Sequence, residues 1–403
     1  MRKLSLIVLM SLMAGFLLAG CNALLPFSDS AGTAGTKQEQ ETKPVEQPIT
    51  LSISCVGDVM VHSTQFKAQY NADTDTYQFD NNFQYVKDYI SAADLALLNL
   101  ETTFSGPPYA GYPAFRSPDS LADALDRAGF DVALLSNNHI LDGGVKGLER
   151  TLGVLAEKGF QVSGAQLPEG KPFAIVDVKG VKTAILSYTY ETPSIEGRHA
   201  LNGNPMSDTA LSMTNTFLYE DLSSLWSELS AQIQQAKEEG AQIVVCYLHW
   251  GEEYQREPNR WQKEMAQQLS DLGVDIVFAS HPHVLQPYEM IRSEVSGKTT
   301  AVFYSMGNFL SNQRLETLDN RYTEQGMIAQ VEVTLMQSTG EILSIQQSAV
   351  PTWVDKYKKD GKNVYAIVPL VDGLENNPSL AVSGHLTRAE QALEDVNGLF
   401  TKN

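Results

Sequence analysis

The sequence predicts an α/β fold with buried, partly parallel strands. Short apolar runs recur along the chain, each followed by polar residues and then by a helical pattern, which is the alternation of strand and helix that builds such sheets. The 403 residues suffice for one large domain or two smaller ones, and no repeat of solenoid period is present. In order, "ITLSISCV" leads into "GDVMVH", "ADLALL" into "NLETTFS", and "DVALLS" into "NNHILDGG". Further on, "QIVVCYL" leads into "HWGEEY", "VDIVFA" into "SHPHVLQP", and "AVFYSM" into "GNFLSNQ". Helical patterns fit Leu121 to Ala128, Val145 to Lys158, Leu222 to Glu239 and Arg260 to Leu272.

Ahead of these elements the chain opens "MRKLSLIVLMSLMAGFLLAGC". Arg2 and Lys3, an apolar stretch from Leu4 to Leu18 and the small residues before Cys21 form an export signal, too short to be a stable spanning helix. Leu18-Ala19-Gly20-Cys21 resembles the bacterial lipobox. That resemblance implies a signal peptide over 1–20 and a diacylglycerol on Cys21, which holds the protein at the extracytoplasmic face of the cell membrane. Residues 21–48, rich in small, polar and proline residues, are expected to be a disordered tether.

The formal net charge is -19, and loss of Arg2 and Lys3 with the signal makes it more negative. Such a surface repels nucleic acid and acidic polymers, so an anionic ligand needs a metal or local arginines. Cys55 and Cys246 each sit inside an apolar run and are expected to be buried free thiols.

In open α/β sheets, ligands gather at the carboxyl ends of strands. All six runs carry polar side chains there: Asp58 and His62, Asn99 and Glu101, Asn138 and His139, His249, His281 and His283, and Asn308. Pro282 pushes His281 toward an extended conformation, in which His281 and His283 point the same way. That pair alone is either a pair of ligands or two loop histidines. The wider distribution favours ligands, because His199 and His385 alone among the seven histidines lie elsewhere.

Histidine, carboxylate and asparagine together suit a borderline or hard divalent cation, and the number of candidates points to two ions of zinc, manganese or iron. Asp142 and Glu253 either orient ligand imidazoles or serve as a helix cap and a solvated charge. Arg314 and Arg321 are either anion contacts for substrate or plain surface charges. The polar stretch "ETPSIEGRHALNGNPMSDTALSMTNTF" is expected to be a mobile lid or binding loop. "MIAQVEVTLM" and "ILSIQQSAV" are expected to pair as antiparallel strands, and a last helix over Thr387 to Phe400 to be peripheral.

"GDVMVH", "LLNLETTFS", "LLSNNHILDGG", "LHWGEEY", "SHPHVLQP" and "YSMGNFLSNQ", in this order, resemble the CapA family of capsule and poly-γ-glutamate synthesis proteins, a branch of the calcineurin-like metallophosphoesterase superfamily. The resemblance implies a four-layer α-β-β-α sandwich over 49–312, with a C-terminal β/α extension, 313–403, packed on the same domain. It places "GD", "NNH", "HW" and "HPH" on metal-binding segments. The chain departs from the superfamily pattern in four ways: histidine follows Asp58 only at position 62, Glu101 stands where a second bridging aspartate is expected, "SNNH" replaces the usual Gly-Asn-His, and "SHPH" the usual Gly-His-x-His.

Two functions follow as expectations. One is a membrane-anchored metal-dependent hydrolase cleaving a phosphoester or γ-glutamyl amide in an acidic envelope polymer. The other is a non-catalytic accessory subunit of a polyanion synthase or export complex, partnered with its membrane subunits and holding polymer carboxylates through metal.

Overall fold

Two sheets face one another in the computed structural model, which describes residues 47–401. The expected signal peptide, Cys21 and nearly all of the expected tether lie outside the described residues. The first sheet has eight strands, in the order Lys362–Pro369, Glu341–Lys359, Gln325–Met336, Ile49–Val59, Leu95–Leu100, Val132–Leu134 and Gln161–Ser163, with Asn308–Leu310 beside the end of Ile49–Val59. The second has seven, in the order Thr216–Phe217, Val181–Tyr190, Ile243–His249, Ile276–Ser280, Thr299–Phe303 and Tyr288–Arg292, with Phe173–Val178 paired to Val181–Tyr190. Within each sheet the central strands run parallel.

The layering follows from the period of two along each strand. Leu51, Ile53, Leu95, Leu97, Val132 and Leu134 of the first sheet pack against Ile185, Ile243, Val245, Ile276 and Phe278 of the second. The alternate residues of the first sheet, such as Ala96, Leu98 and Ala133, pack against Leu121, Leu125, Leu148 and Leu155 from the helices Ser120–Ala128 and Gly144–Glu157. Those of the second, such as Val244, Leu248 and Val277, pack against Leu225, Leu229, Met265 and Leu269 from Leu222–Glu238 and Arg260–Asp271. The result is a four-layer α-β-β-α sandwich. Each fully buried Leu or Val contributes about 2 kcal/mol, and this alternation lets one strand serve two cores.

Cys55 lies in the inter-sheet core and Cys246 in the sheet–helix core, on opposite faces of the second sheet, so both are free thiols. The strands Gln325–Met336 and Glu341–Lys359 pair antiparallel as expected.

Two expectations are corrected. The last helix, Leu386–Phe400, is not peripheral: Val396 and Leu399 enter the inter-sheet core, and Ala389 and Ala392 pack on Trp353 and Leu380. The polar stretch expected to be a mobile lid is a packed element instead. It forms the strands Thr192–Ile195, Arg198–Leu201 and Asn204–Pro205 and the helix Asp208–Met213, capped by Ser207. Leu201, Met206, Ala210 and Met213 anchor it in the core beside the first sheet. These apolar residues are spaced irregularly among polar ones, which hides the buried face from a periodicity argument. No helix among the described residues is long and apolar enough to cross a membrane.

Candidate metal centre

At the carboxyl edge of the inter-sheet core the inward-facing rows turn polar. Leu95 and Leu97 point into that core, so Asn99 and Glu101 continue the same row. On the facing sheet Ile243, Val245 and Tyr247 are followed by His249, and Ile276 and Phe278 by Ser280 and then the loop carrying His281 and His283. Asp58 arrives by a closer device. A Cβ at Gly57 would fall 2.0 Å from the Gly307 carbonyl oxygen. Only glycine allows the two segments to meet, and this contact sets Asp58 opposite both Asn99 and Asn308.

A hydrogen-bond network fixes the carboxylates. Asn99 Nδ2 donates to Asp58 Oδ1 at 2.8 Å and to Glu101 Oε2 at 3.2 Å, and Asn99 Oδ1 accepts from Asn137 Nδ2 at 3.2 Å. His283 Nδ1 lies 2.8 Å from Asp58 Oδ2, and His139 Nδ1 lies 2.8 Å from Asp142 Oδ2, which also accepts from the Phe115 amide. His249 is held at both nitrogens, Nδ1 3.2 Å from the Tyr247 hydroxyl and Nε2 3.0 Å from Asn138 Oδ1. The Tyr190 ring lies 4.7 Å from that of His281.

His281 and His283 converge, but not through an extended backbone. Their φ angles are 103° and 56°, a left-handed region that costs a non-glycine residue of order 1–3 kcal/mol. Backbone bonds from Trp250 to Ser280 and from Tyr254 to Pro282 tether this turn to the segment after His249, and the surrounding structure overrides the local preference before proline.

The donor set fits divalent cations. Asp58, Glu101 and His249 bring ligand atoms within 4.8 Å of one another, and so do Glu253, His281 and His283. Glu101 Oε1, His281 Nδ1 and Asn308 Oδ1 are buried and lack any hydrogen-bond partner. Glu101 Oε1 lies 3.7 Å from His249 Nε2 and 4.0 Å from His283 Nε2. A buried, unpaired carboxylate oxygen costs several kcal/mol, and a cation offsets that cost. Burial, reinforced by Asp58, pushes the Glu101 carboxyl well above its usual range. Burial, reinforced by neighbouring imidazoles, holds His249 and His281 far below theirs, so both are neutral and ligand-competent. Burial also lowers His62 to about 4.

The centre opens into a cleft of about 340 Å³ lined by Met60, His62, Tyr112, His139, Glu253 and His283. Asn308 Nδ2 donates to Gln313 and to the Thr323 carbonyl. The structure thus brings together Asp58, Asn99, Glu101, Asn138, His139, Asp142, His249, Glu253, His281, His283 and Asn308, with His62 on the cleft wall.

It does not bring Arg314 and Arg321 to the centre. Arg314 is buried against Glu324 and the Val354 carbonyl, and Arg321 pairs with Asp395 on the last helix. Two contributing residues carry no signal in the sequence that separates them from their neighbours, Tyr190 and Tyr247, whereas Asn137 opens the "NNH" segment. Tyr190 ends a seventh run, "TAILSYTY", whose aromatic terminus carries no metal-ligand signal. Tyr247 looks like any inward core residue, and only its hydroxyl's position beside His249 sets it apart.

The family described as bacterial capsule synthesis protein PGA_cap matches residues 52–313. Among curated relatives, the Bacillus anthracis capsule biosynthesis protein CapA is 30% identical over 269 residues, 65% of this chain and 60% of that protein. The Bacillus subtilis PGA biosynthesis protein CapA is 30% identical over 292 residues, 70% of this chain and 68% of that protein. A probable polyglutamine synthesis accessory protein of Mycobacterium tuberculosis is 29% identical over 216 residues, 51% of this chain and 53% of that one. The chain therefore spans about 60% of the length of the first of these relatives. A solved phosphatase from Mycoplasma pneumoniae aligns at TM-score 0.42 and 14% identity, over 76% of this chain and 95% of that one. The four-layer order rests on this chain's own sheets and cores.

Proposed function

The chain belongs to the PGA_cap family of bacterial capsule synthesis proteins, and on that premise we propose that it acts in capsule or poly-γ-glutamate biosynthesis as a divalent-metal-dependent hydrolase. The observation that carries this reading is Glu101 Oε1, fully buried, without a hydrogen bond, and facing the Nε2 atoms of both His249 and His283. Asp58, Glu101 and His249 would hold one cation and Glu253, His281 and His283 a second, with Asn138 and Asn308 offering amide oxygens. Bound there, zinc, manganese or iron would polarise a phosphoryl or carbonyl oxygen and acidify water.

The chain's own residues do the rest. Asn99 keeps two like-charged carboxylates in one place, Asp142 orients His139, and Tyr247 orients His249. His62 Nδ1 lies 3.2 Å from both the Asn312 amide and Gln65 Oε1, which fixes the ring on the cleft wall. Lipid on Cys21 would place this chemistry at the extracytoplasmic face of the cell membrane, near the membrane subunits of a polymer synthase. The acidic chain speaks against nucleic acid as a partner.

A second reading, an accessory subunit that holds polymer carboxylates through metal without cleaving them, is favoured by the name of the mycobacterial relative. One experiment separates the two. Purified protein should carry one to two metal equivalents by elemental analysis, on the two-ion precedent, and the His281→Ala/His283→Ala double variant should lose most of it. Chelation should lower the melting temperature and metal should restore it. Turnover of phosphomonoesters, phosphodiesters or γ-glutamyl peptides that vanishes in the double variant supports the hydrolase. Metal without turnover supports the accessory role, and no metal under any loading condition removes both.

A further inference from the structure

Two asparagines flank Asp58 across the first sheet, and their amides are spent in opposite ways. Asn99 and Asn308 are registered with Asp58 on the strands to either side of it, and all three residues are fully buried. Asn99 turns its amide nitrogen to the carboxylates, Asp58 Oδ1 and Glu101 Oε2. Asn308 spends its nitrogen elsewhere: Nδ2 donates to Gln313 Oε1 at 3.0 Å and to the Thr323 carbonyl at 2.9 Å. A carbonyl can only accept, so these partners fix which end of the Asn308 amide is nitrogen. Both N–H bonds are then used, and Oδ1 is left buried with no hydrogen-bond partner. A buried amide oxygen without a donor is costly, yet turning the amide over would set that oxygen against two acceptors. The unpartnered oxygen beside Asp58 is therefore held in place.

Gln313 is the side chain that holds it, and its own position is secured on three sides. Its backbone amide donates to Ser311 Oγ at 3.0 Å, and Nε2 donates to the Tyr254 hydroxyl at 3.4 Å. Tyr254 and Glu253 line the cleft together with Gln313, and the Tyr254 amide is bonded to the carbonyl of Pro282, between the two loop histidines. The next residue, Arg314, is buried and donates to the Val354 carbonyl at 2.7 Å and to Glu324 at 3.2 Å. That anchor leaves the segment little freedom to withdraw from Asn308.

An amide oxygen suits some cations better than others. Zinc is commonly satisfied by four ligands, with nitrogen or sulfur among them, whereas manganese takes six and favours oxygen. Asp58, Glu101 and His249 already offer a set that zinc accepts. A further oxygen from Asn308 matters most to the cation with the larger shell.

We propose that Gln313 is a positioning residue: by holding the Asn308 nitrogen it presents Oδ1 to the cation at Asp58, and so favours manganese over zinc. The inference rests on the metal-binding reading and deepens it by naming what sets the choice of ion.

The chelated full-length protein is titrated separately with manganese and with zinc. Gln313→Met fills similar space without an acceptor and should weaken manganese binding roughly tenfold, with zinc binding changed much less; Gln313→Ala should act in the same direction. Gln313→Glu keeps an acceptor for Asn308 and should restore the manganese-to-zinc affinity ratio, because its added charge favours both divalent ions alike and cancels in the ratio. Asn308→Ala should shift the ratio as Gln313→Met does, and combining the two should shift it no further. Equal losses for both ions, which plain structural support would produce, would overturn the inference, as would an unmoved ratio, a failed rescue by Gln313→Glu, or additive effects in the double variant. In each of those cases the unsubstituted protein still binds metal and the metal-binding reading stands. An unsubstituted protein that takes up neither ion removes that reading and the inference with it.

Discussion

At Glu101 and His62 the same burial acts on opposite kinds of group, and its consequences at His62 can be measured. Burial raises the Glu101 carboxyl and lowers the His62 imidazole to about 4 from an ordinary 6.5. The unfolded chain takes up a proton at His62 near pH 6.5, whereas the folded chain resists until about 4. Between these values the unfolded state binds more protons, so stability falls as pH falls, by roughly 1 kcal/mol per pH unit for this group. His62→Asn should flatten the slope of unfolding free energy between pH 6.5 and 4 by that amount, read from urea midpoints of the chelated protein. His249 and His281 are lowered in the same direction, so the slope should shrink rather than vanish. A slope identical to that of the unsubstituted protein would show that His62 is solvated and titrates normally.

Elements reach the centre through close backbone approaches as much as through side chains. Gly57 sits where the strand Ile49–Val59 shifts register, 2.0 Å from the Gly307 oxygen if it carried a Cβ. Gly57→Ala must push the segments apart, and it is expected to cost at least about 2 kcal/mol and to lower metal content by displacing Asp58 from Asn99 and Asn308. Gly153 is the contrasting case. It is exposed in the helix Gly144–Glu157, and a Cβ there would meet nothing within 4 Å, so Gly153→Ala should stabilise by about 0.5–1 kcal/mol. Thermal melts of the two variants should move in opposite directions. A neutral Gly57→Ala would mean the approach of strand and loop is looser than the geometry requires.

Over the whole molecule, an acidic chain opens on a stretch that carries two cations, Arg2 and Lys3. No helix of the described residues, 47–401, is long and apolar enough to cross a membrane, and the lipid proposed on Cys21 is tested by itself. Cys21→Ala should shift the protein from the membrane fraction to unprocessed precursor or medium and abolish labelling by a fatty-acid probe. Unchanged fractionation and labelling would remove the anchor. The body should then be judged by its surface alone, where long-range repulsion of polyanions is expected to persist and to weaken with added salt.

Local order is legible in the chain because it has local causes. The apolar runs, the helices between them and the polar residues at strand ends follow from periodicity over a few positions, and the five clustered histidines mark the centre by their places in the sequence alone. Helix limits agree to within a residue or two, as between Val145 to Lys158 and Gly144–Glu157. Tertiary structure decides what depends on distant segments meeting. Facing the two sheets joins the end of Leu95–Leu100 to the end of Ile243–His249 and leaves Glu101 Oε1 between two imidazoles. The same packing forces His281 and His283 into left-handed backbone against the preference set by Pro282. It also turns Arg314 and Arg321 toward Glu324 and Asp395, because a guanidinium takes the nearest carboxylate the fold supplies.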